Sequence, residues 1–116
     1  MARIRANNAS GGGGGIDITN PDVYDYGAIA GSGSKSVTVT QKPRYIVFCQ
    51  TAGATGMRLY LIDCEKESIL EKYYWGSSYS GGTPSFSSIV TAISSSAVTL
   101  KSGTSVATNN FISIYY

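Results

Sequence analysis

The sequence predicts an all-β fold, a single antiparallel β-sandwich of the jelly-roll or immunoglobulin type with an extended N-terminal arm. Seven or eight short runs rich in β-branched and aromatic residues are separated by turn signals, and no segment shows a convincing 3.6-residue period. Residues 44–75 hold three of these runs with two short connections between them, the pattern of two successive hairpins. A length of 116 residues fits one domain with a modest core. The order of the strands is left open.

Residues 1–15 are predicted to form a basic arm on a flexible tether, ahead of a sandwich domain that spans residues 16–116. Arg3 and Arg5 give the arm its charge. Five consecutive glycines follow at positions 11–15, and such a run cannot hold a fold of its own. We therefore expect an arm that becomes ordered when it docks on a partner, with Arg3 and Arg5 as its docking residues. The alternative is a disordered terminus.

Few firm elements are predicted between this tether and the central hairpins. Ile16 and Ile18 alternate with polar residues, which is compatible with a short edge strand, and residues 20–22 form a turn. Glycines loosen the chain after this turn. The first firm strand is predicted at residues 36–41, with its two valines pointing inward.

The first central hairpin predicts its own register. If its TAGATG turn closes symmetrically, three cross-strand pairs follow: Phe48 with Tyr60, Ile46 with Ile62, and Cys49 with Leu59. With the second hairpin closed as well, one face of the sheet carries Ile46, Phe48, Tyr60, Ile62, Leu70 and Tyr74. The opposite face carries Val47, Cys49, Leu59, Leu61, Ile69 and Tyr73.

Both faces of this central sheet are apolar, so each needs a cover. The face that bears Phe48 and Tyr60 also carries Arg58 and Lys72, and charges of this kind suit the rim of an interface better than a deep core. We therefore predict that a second subunit covers this face, around a threefold or sixfold axis. The opposite face is then the core of the sandwich.

The end of the chain predicts a contact loop and three more strands. Residues 76–85 form a loop rich in glycine and serine, in which Tyr79 is the candidate contact for a receptor or a glycan. Strands are predicted at residues 86–93, 97–101 and 110–116.

Composition narrows the classes of function. Charged residues make up 14% of the chain, below the roughly 25% of an average soluble domain, which suits a surface that packs against copies of itself. A net charge of +2 gives no basic patch for nucleic acid. No apolar run approaches the ~20 residues of a membrane helix, and no hydrophobic signal segment begins the sequence. We therefore expect synthesis in a cytoplasm and no membrane insertion.

The sequence offers no constellation of residues for catalysis. It has no histidine, so the commonest general base and metal ligand is missing. The carboxylates around Asp63 are interleaved with lysines, as in a solvated turn, and Asp22 and Asp25 match no calcium loop. Cys49 and Cys64 are predicted to be free thiols, because the hairpin register holds them apart. We expect no enzyme activity, no metal and no cofactor.

The start MARIRANNASGGGGG, followed by a Ser/Thr-rich β-domain with KPRYIVF and LYLID, resembles small virion proteins of tailed bacteriophages, especially accessory proteins encoded with tail and baseplate parts. The likeness is one of layout across the whole chain. It implies a structural component of the tail, baseplate or fibre, in which residues 1–10 dock on the particle. The β-domain would then contact symmetry mates, other virion proteins or a host-surface glycan. Two alternatives stay open: a capsid-decoration or head-fibre protein, and a free carbohydrate-binding or adhesin-like module.

Overall fold

The computed structural model describes residues 15–53 and 56–116, which form two antiparallel β-sheets and one short helix. The elements in chain order are β1 (Val23–Ile29), β2 (Ser34–Thr38), β3 (Tyr45–Thr51), β4 (Gly56–Asp63), β5 (Ser68–Trp75), β6 (Ser78–Gly82), α1 (Phe86–Ile89), β7 (Val90–Ile93), β8 (Ala97–Lys101) and β9 (Thr108–Tyr115). The predicted docking residues Arg3 and Arg5, and the arm that carries them, lie outside the described residues.

The two sheets pack face to face. The larger sheet has six strands in the order β1-β9-β3-β4-β5-β6, and the smaller has three in the order β2-β8-β7. Strands β3 to β6 follow one another as a meander, whereas β9 is inserted between β1 and β3. The predicted antiparallel β-sandwich is confirmed. Its strands divide six and three, where those of an immunoglobulin constant domain divide four and three.

The core lies between the sheets and is built from alternate residues of each strand. In β3, the inward-facing Ile46, Phe48 and Gln50 are fully buried while their neighbours are partly exposed, the period-two pattern of a sheet with one covered face. Val37 and Val39 are buried against the same core, as predicted.

The predicted register of the first hairpin is confirmed. Phe48 lies opposite Tyr60, Ile46 opposite Ile62, and Cys49 opposite Leu59. The assumption of a symmetric turn therefore predicted correctly which side chains of β3 and β4 share a face of the sheet.

The prediction that a second subunit covers the face bearing Phe48 was wrong. Four of the six candidate interface residues are at most 3% exposed within a single chain: Ile46, Phe48, Tyr60 and Ile62. The smaller sheet and α1 contribute to the core that buries them. Arg58 lies on this same face, but Glu71 pairs with it there, so the charge does not mark the rim of an interface.

The other two candidates, Leu70 and Tyr74, lie on the opposite face of the sheet. A four-residue turn at residues 64–67 places Asp63 opposite Ser68, so that Leu70 faces Leu61 across the strands. The predicted register was off by one residue in this second hairpin. Because side chains alternate along a strand, that slip moved Leu70 and Tyr74 to the wrong face.

Three segments differ from their predicted structure. Strand β1 forms in a stretch that was expected to be loose, and it pairs with β9 along its full length. Strand β6 forms inside the predicted loop at residues 76–85. The predicted strand at residues 86–93 divides into α1 and β7, because the carbonyl of Ser85 accepts hydrogen bonds from the amide of Ser88 at 3.1 Å and from its hydroxyl at 2.6 Å, which starts a helical turn.

Candidate interaction surface

The side of the six-stranded sheet that points away from the smaller sheet is apolar, and we call it the outer face. Alternate residues of all six strands contribute to it: Tyr24, Tyr26, Tyr45, Val47, Cys49, Met57, Leu59, Leu61, Leu70, Tyr74, Tyr79 and Phe111. Among the described residues, Lys72 is the one charged side chain within this face, and Asp63 stands at its end.

The outer face carries most of the large hydrophobic side chains that are exposed in the described part of the chain. Of the nine large hydrophobic side chains exposed in the described part of the chain, seven lie on it: Tyr24, Tyr26, Met57, Leu61, Leu70, Tyr74 and Tyr79. A sheet with one wet face normally alternates apolar with polar residues, but β3 and β4 are apolar on both sides. The outer face therefore has the character of an interior surface that residues 15–53 and 56–116 leave uncovered.

The size of the outer face matches that of a protein interface. Adjacent strands lie ~4.8 Å apart and residues advance ~3.3 Å along a strand, so six strands of up to eight residues give a face of roughly 24 by 26 Å. The projected area is about 600 Å², and the accessible area of its side chains is larger. Monomers seldom expose contiguous apolar patches above a few hundred Å², whereas each partner in a stable complex buries about 800 Å².

Two aromatic pairs lie at opposite ends of the outer face. The rings of Tyr26 and Phe111 are 4.8 Å apart near the β1 edge, and those of Tyr74 and Tyr79 are 4.8 Å apart at the β6 edge. Paired rings hold each other in place, and tyrosine combines a large apolar ring with a hydroxyl that tolerates water. Residues of this type are enriched in protein interfaces.

An open apolar groove of about 230 Å³ lies at one end of the outer face. Ile16 and Ile18, which the sequence suggested as an edge strand, belong to no strand and instead line this groove together with Val47 and Leu61. The hydroxyl of Tyr115 donates a 2.6 Å hydrogen bond to the carbonyl of Ile18 and fixes the segment there. The groove gives the outer face a concave feature that could receive an apolar side chain.

A charged cluster lies on the opposite, inner side of the same sheet. Arg58 pairs with Glu71 across β4 and β5, and its guanidinium carbon lies 4.4 Å from the centre of the Tyr73 ring and 5.9 Å from that of Trp75. The hydroxyl of Tyr60 lies beside this ion pair, and burial, together with the charge of Glu71, raises its pKa to about 12. The guanidinium of Arg58 is thus held between Glu71 and two aromatic rings, and its Nε is buried without a hydrogen-bond partner.

A second polar cluster lies at the end of β3, and its buried side chains form hydrogen bonds with one another and with the loop after β8. The side-chain amide of Gln50 donates to the hydroxyl of Ser102 at 2.9 Å and to that of Thr108 at 3.0 Å, and its oxygen accepts from the amide of Gly103 at 3.0 Å. Asn110, equally buried, donates to the carbonyl of Thr108 at 3.1 Å. Buried polar groups that are hydrogen-bonded in this way fix the loop between β8 and β9 and have a structural role.

The described residues contain no cluster of metal-ligating side chains and no helix that could span a membrane. No three His, Cys, Asp or Glu side chains lie close enough together there to hold a metal ion. No helix in the described residues is both long and apolar enough to cross a bilayer. Cys49 and Cys64 are free thiols.

The sequence-based site residues are thus divided between several places. Tyr79, the candidate contact for a receptor or a glycan, is 82% exposed and lies in strand β6, not in the predicted loop. Tyr24 and Tyr26, two residues of the outer face, were missed. Their alternation with Val23 and Asp25 is a period-two signal that could have indicated strand β1 and its exposed side.

No protein-family model matches the sequence, and comparisons with curated proteins and with solved structures gave no match.

Proposed function

We propose that this chain is a non-enzymatic structural subunit of a bacteriophage virion, in the tail, baseplate or fibre, which joins copies of itself through the outer face. The observation that carries the self-association is the apolar outer face itself, with Lys72 as its one internal charge in the described structure. A partner for such a face must be equally apolar. The outer face of a second copy meets that requirement, and most soluble oligomers are symmetric homo-oligomers.

The virion assignment is supported by the layout of the sequence, in which a basic arm and a glycine tether precede a Ser/Thr-rich β-domain. In this proposal outer faces pair about twofold axes within a symmetric oligomer, such as a hexamer with dihedral symmetry, and Arg3 and Arg5 dock on neighbouring virion proteins. A capsid-decoration or head-fibre position is the alternative within the same class. All of these positions require the chain to assemble, so assembly is the property to test first.

Sedimentation velocity tests this with one variant and one matched control. The wild-type chain is expected to sediment as an oligomer. Leu70→Glu places a carboxylate in the middle of the outer face and is expected to lower the mass while the far-UV β signal is retained. Val106→Glu is the control, because Leu70 and Val106 are both 43% exposed but Val106 lies in the loop before β9. A wild-type chain that remains monomeric at every concentration would overturn the proposal.

A carbohydrate-binding module is the second candidate function. The observation that favours it is the exposed ring of Tyr79, which lies beside Tyr74 at an interplanar angle of 40° and gives an aromatic surface of the kind that binds the face of a sugar. Glycan-array binding by a monomeric wild-type chain, lost in Tyr79→Ala and kept in Tyr24→Ala, would favour this function over assembly.

A further inference from the structure

Three of the four sheet edges in this sandwich carry a feature that discourages pairing with another chain. Strand β1 carries the inward-pointing Asp25, which pairs with Lys35 at 3.3 Å. Strand β2 carries Lys35 itself. Strand β7 is only four residues long, and its pairing with β8 is interrupted between Val90 and Ala92. Inward charges, edge lysines, short strands and bulges are the usual means by which proteins protect sheet edges.

Strand β6, the remaining edge, has none of these features. Its five residues, Ser78–Gly82, are uncharged, contain no proline and are all exposed. They pair with β5 without a bulge, so no irregularity of the kind seen in β7 interrupts this edge. An edge of this kind presents a row of backbone donors and acceptors to any strand that approaches it.

We propose that β6 pairs antiparallel with β6 of a second copy, about a twofold axis that passes through Ser80. The pairing joins the two six-stranded sheets into one continuous sheet of twelve strands. In this register Ser80 lies opposite Ser80 of the partner subunit, and Tyr79 lies opposite Gly81 of the partner subunit.

The composition of β6 favours this register over a shifted one. It is the register in which all five residues of each strand find a partner. It also places the ring of Tyr79, 82% exposed in the single chain, over a glycine on the same face of the joined sheet. An aromatic side chain across from a strand glycine covers the backbone that the glycine leaves bare. Pairing of β6 with β1 is disfavoured by the Asp25 and Lys35 charges at that edge.

This contact uses the sheet edge and does not depend on the outer face, so it goes beyond the proposed function. A twofold contact through one surface closes on itself as a dimer. A chain with two separate self-complementary surfaces instead links each dimer to further copies. The two contacts together therefore produce an extended or ring-shaped assembly.

The test uses the Leu70→Glu variant, in which the outer face is disabled and the edge contact is left. This variant is expected to equilibrate between monomer and dimer. Adding Ser80→Lys places two ammonium groups opposite each other at the axis and is expected to weaken the dimer about fivefold. A 1:1 mixture of the Ser80→Lys and Ser80→Glu chains, both with Leu70→Glu, is expected to recover the dimer because opposite charges then face each other.

Matched controls are Ser87→Lys and Ser87→Glu, which change another exposed serine, in α1. They are expected to leave the dissociation constant unchanged, both alone and mixed. A Leu70→Glu chain that is monomeric at every concentration, or a mixture that does not recover the dimer, overturns the edge contact. If Leu70→Glu instead leaves the wild-type mass unchanged, the outer-face proposal fails, and the Ser80 variants test the edge contact in the wild-type background.

Discussion

At the scale of single residues, the ring of Tyr60 lies directly against Gly103 in the loop that follows β8. A Cβ atom on Gly103 would lie 1.6 Å from the hydroxyl oxygen of Tyr60 and 3.2 Å from the Cδ of Arg58. Tyr60 is only 1% exposed and has no room to move aside. Only glycine therefore fits where this loop crosses the ring.

We expect Gly103→Ala to lower the free energy of unfolding by about 2 kcal/mol, because the added methyl group must displace a buried ring or the loop backbone. Urea denaturation monitored by far-UV circular dichroism measures the change. The control is Gly82→Ala, because a Cβ at Gly82 has nothing within 4 Å and is expected to cost at most about 0.5 kcal/mol. Equal losses in the two variants would contradict the close contact with Tyr60.

The two thiols are expected to react at different rates. Cys49 is half-buried on the outer face, and burial raises its pKa above the usual value. Cys64 is more deeply enclosed, and burial, together with the charge of Asp63, raises its pKa to about 12. Alkylation at pH 8 followed by mass spectrometry should label Cys49 first, because the thiolate is the reactive form. If a second copy covers the outer face, labelling of Cys49 should also be faster in Leu70→Glu than in the wild-type chain.

Sequence patterns could predict some of these residue contacts and not others. The pairing of Phe48 with Tyr60 follows from a short symmetric turn between neighbouring strands. The contact of Tyr60 with Gly103 depends on a loop that reaches β4 from far along the chain, and no local pattern encodes it. The same holds for Gln50, whose burial is made possible by hydrogen bonds to that loop.

At the scale of elements, the turn between β4 and β5 decides which face each β5 side chain occupies. One carboxylate oxygen of Asp63 accepts hydrogen bonds from the amides of Glu65 and Lys66, both at 3.0 Å. Glu67 closes the turn with a φ of 52°, a left-handed conformation that residues with a side chain adopt at a cost. The turn has four residues, and this length places Leu70 on the outer face. A turn that was one residue longer or shorter would place Leu70 on the inner face.

We expect Glu67→Gly to raise the free energy of unfolding by about 0.5–1 kcal/mol, because glycine adopts this conformation without steric strain. Thermal and urea unfolding both measure the gain. Glu65→Gly is the control within the same turn, since Glu65 has no left-handed φ, and there the greater freedom of glycine in the unfolded chain should lower stability by about 0.5–1 kcal/mol. Two variants that change stability in the same direction would show that the conformation of Glu67 carries no strain.

The elements that sequence patterns failed to predict share a physical cause. Strand β6 contains serine and glycine, which have low intrinsic strand preference, and it forms because β5 offers it a complete edge. Strand β1 contains Asp25 on its inner side, a residue disfavoured in strands, and it forms because Lys35 neutralises that charge. In both strands a tertiary contact overrides local preference.

At the scale of the whole molecule, stability should fall in alkaline solution. Folding raises the pKa of Cys64 from 9.0 and that of Tyr60 from 10.0, each to about 12. The unfolded chain therefore loses these two protons at a lower pH than the folded chain does. Stability from these groups is fully present below pH 9 and declines as the pH rises from about 9 to about 12.

Urea unfolding midpoints measured from pH 8 to pH 11 test this expectation. Between pH 9 and pH 10 most of the decline should come from Cys64, since the unfolded tyrosine is still protonated there. Cys64→Ala should therefore flatten this part of the profile, whereas Cys49→Ala should change it less. A profile that remains steep in Cys64→Ala would assign the decline to other groups.

The sandwich architecture followed from the sequence, but the choice of its covered face did not. Both sides of β3 and β4 are apolar, so hydrophobicity alone does not distinguish the inner side from the outer side. The arginine at position 58 pointed to the wrong side, because its partner Glu71 was assigned to the other face by the one-residue slip. A buried ion pair is hard to foresee where a single turn length decides whether the two charges meet.

The central position of β9 has a consequence for how the protein is made. Strands β1 and β3 are both synthesised early, yet the strand that joins them, Thr108–Tyr115, emerges from the ribosome after all the others. Until then a nascent chain carries two open edges in the middle of its future sheet, in addition to the unprotected edge of β6. On a polysome that produces many copies side by side, neighbouring nascent chains could fill those gaps with each other's strands. Fast synthesis of the segment between β3 and β9 would therefore shorten the time for which these edges are open.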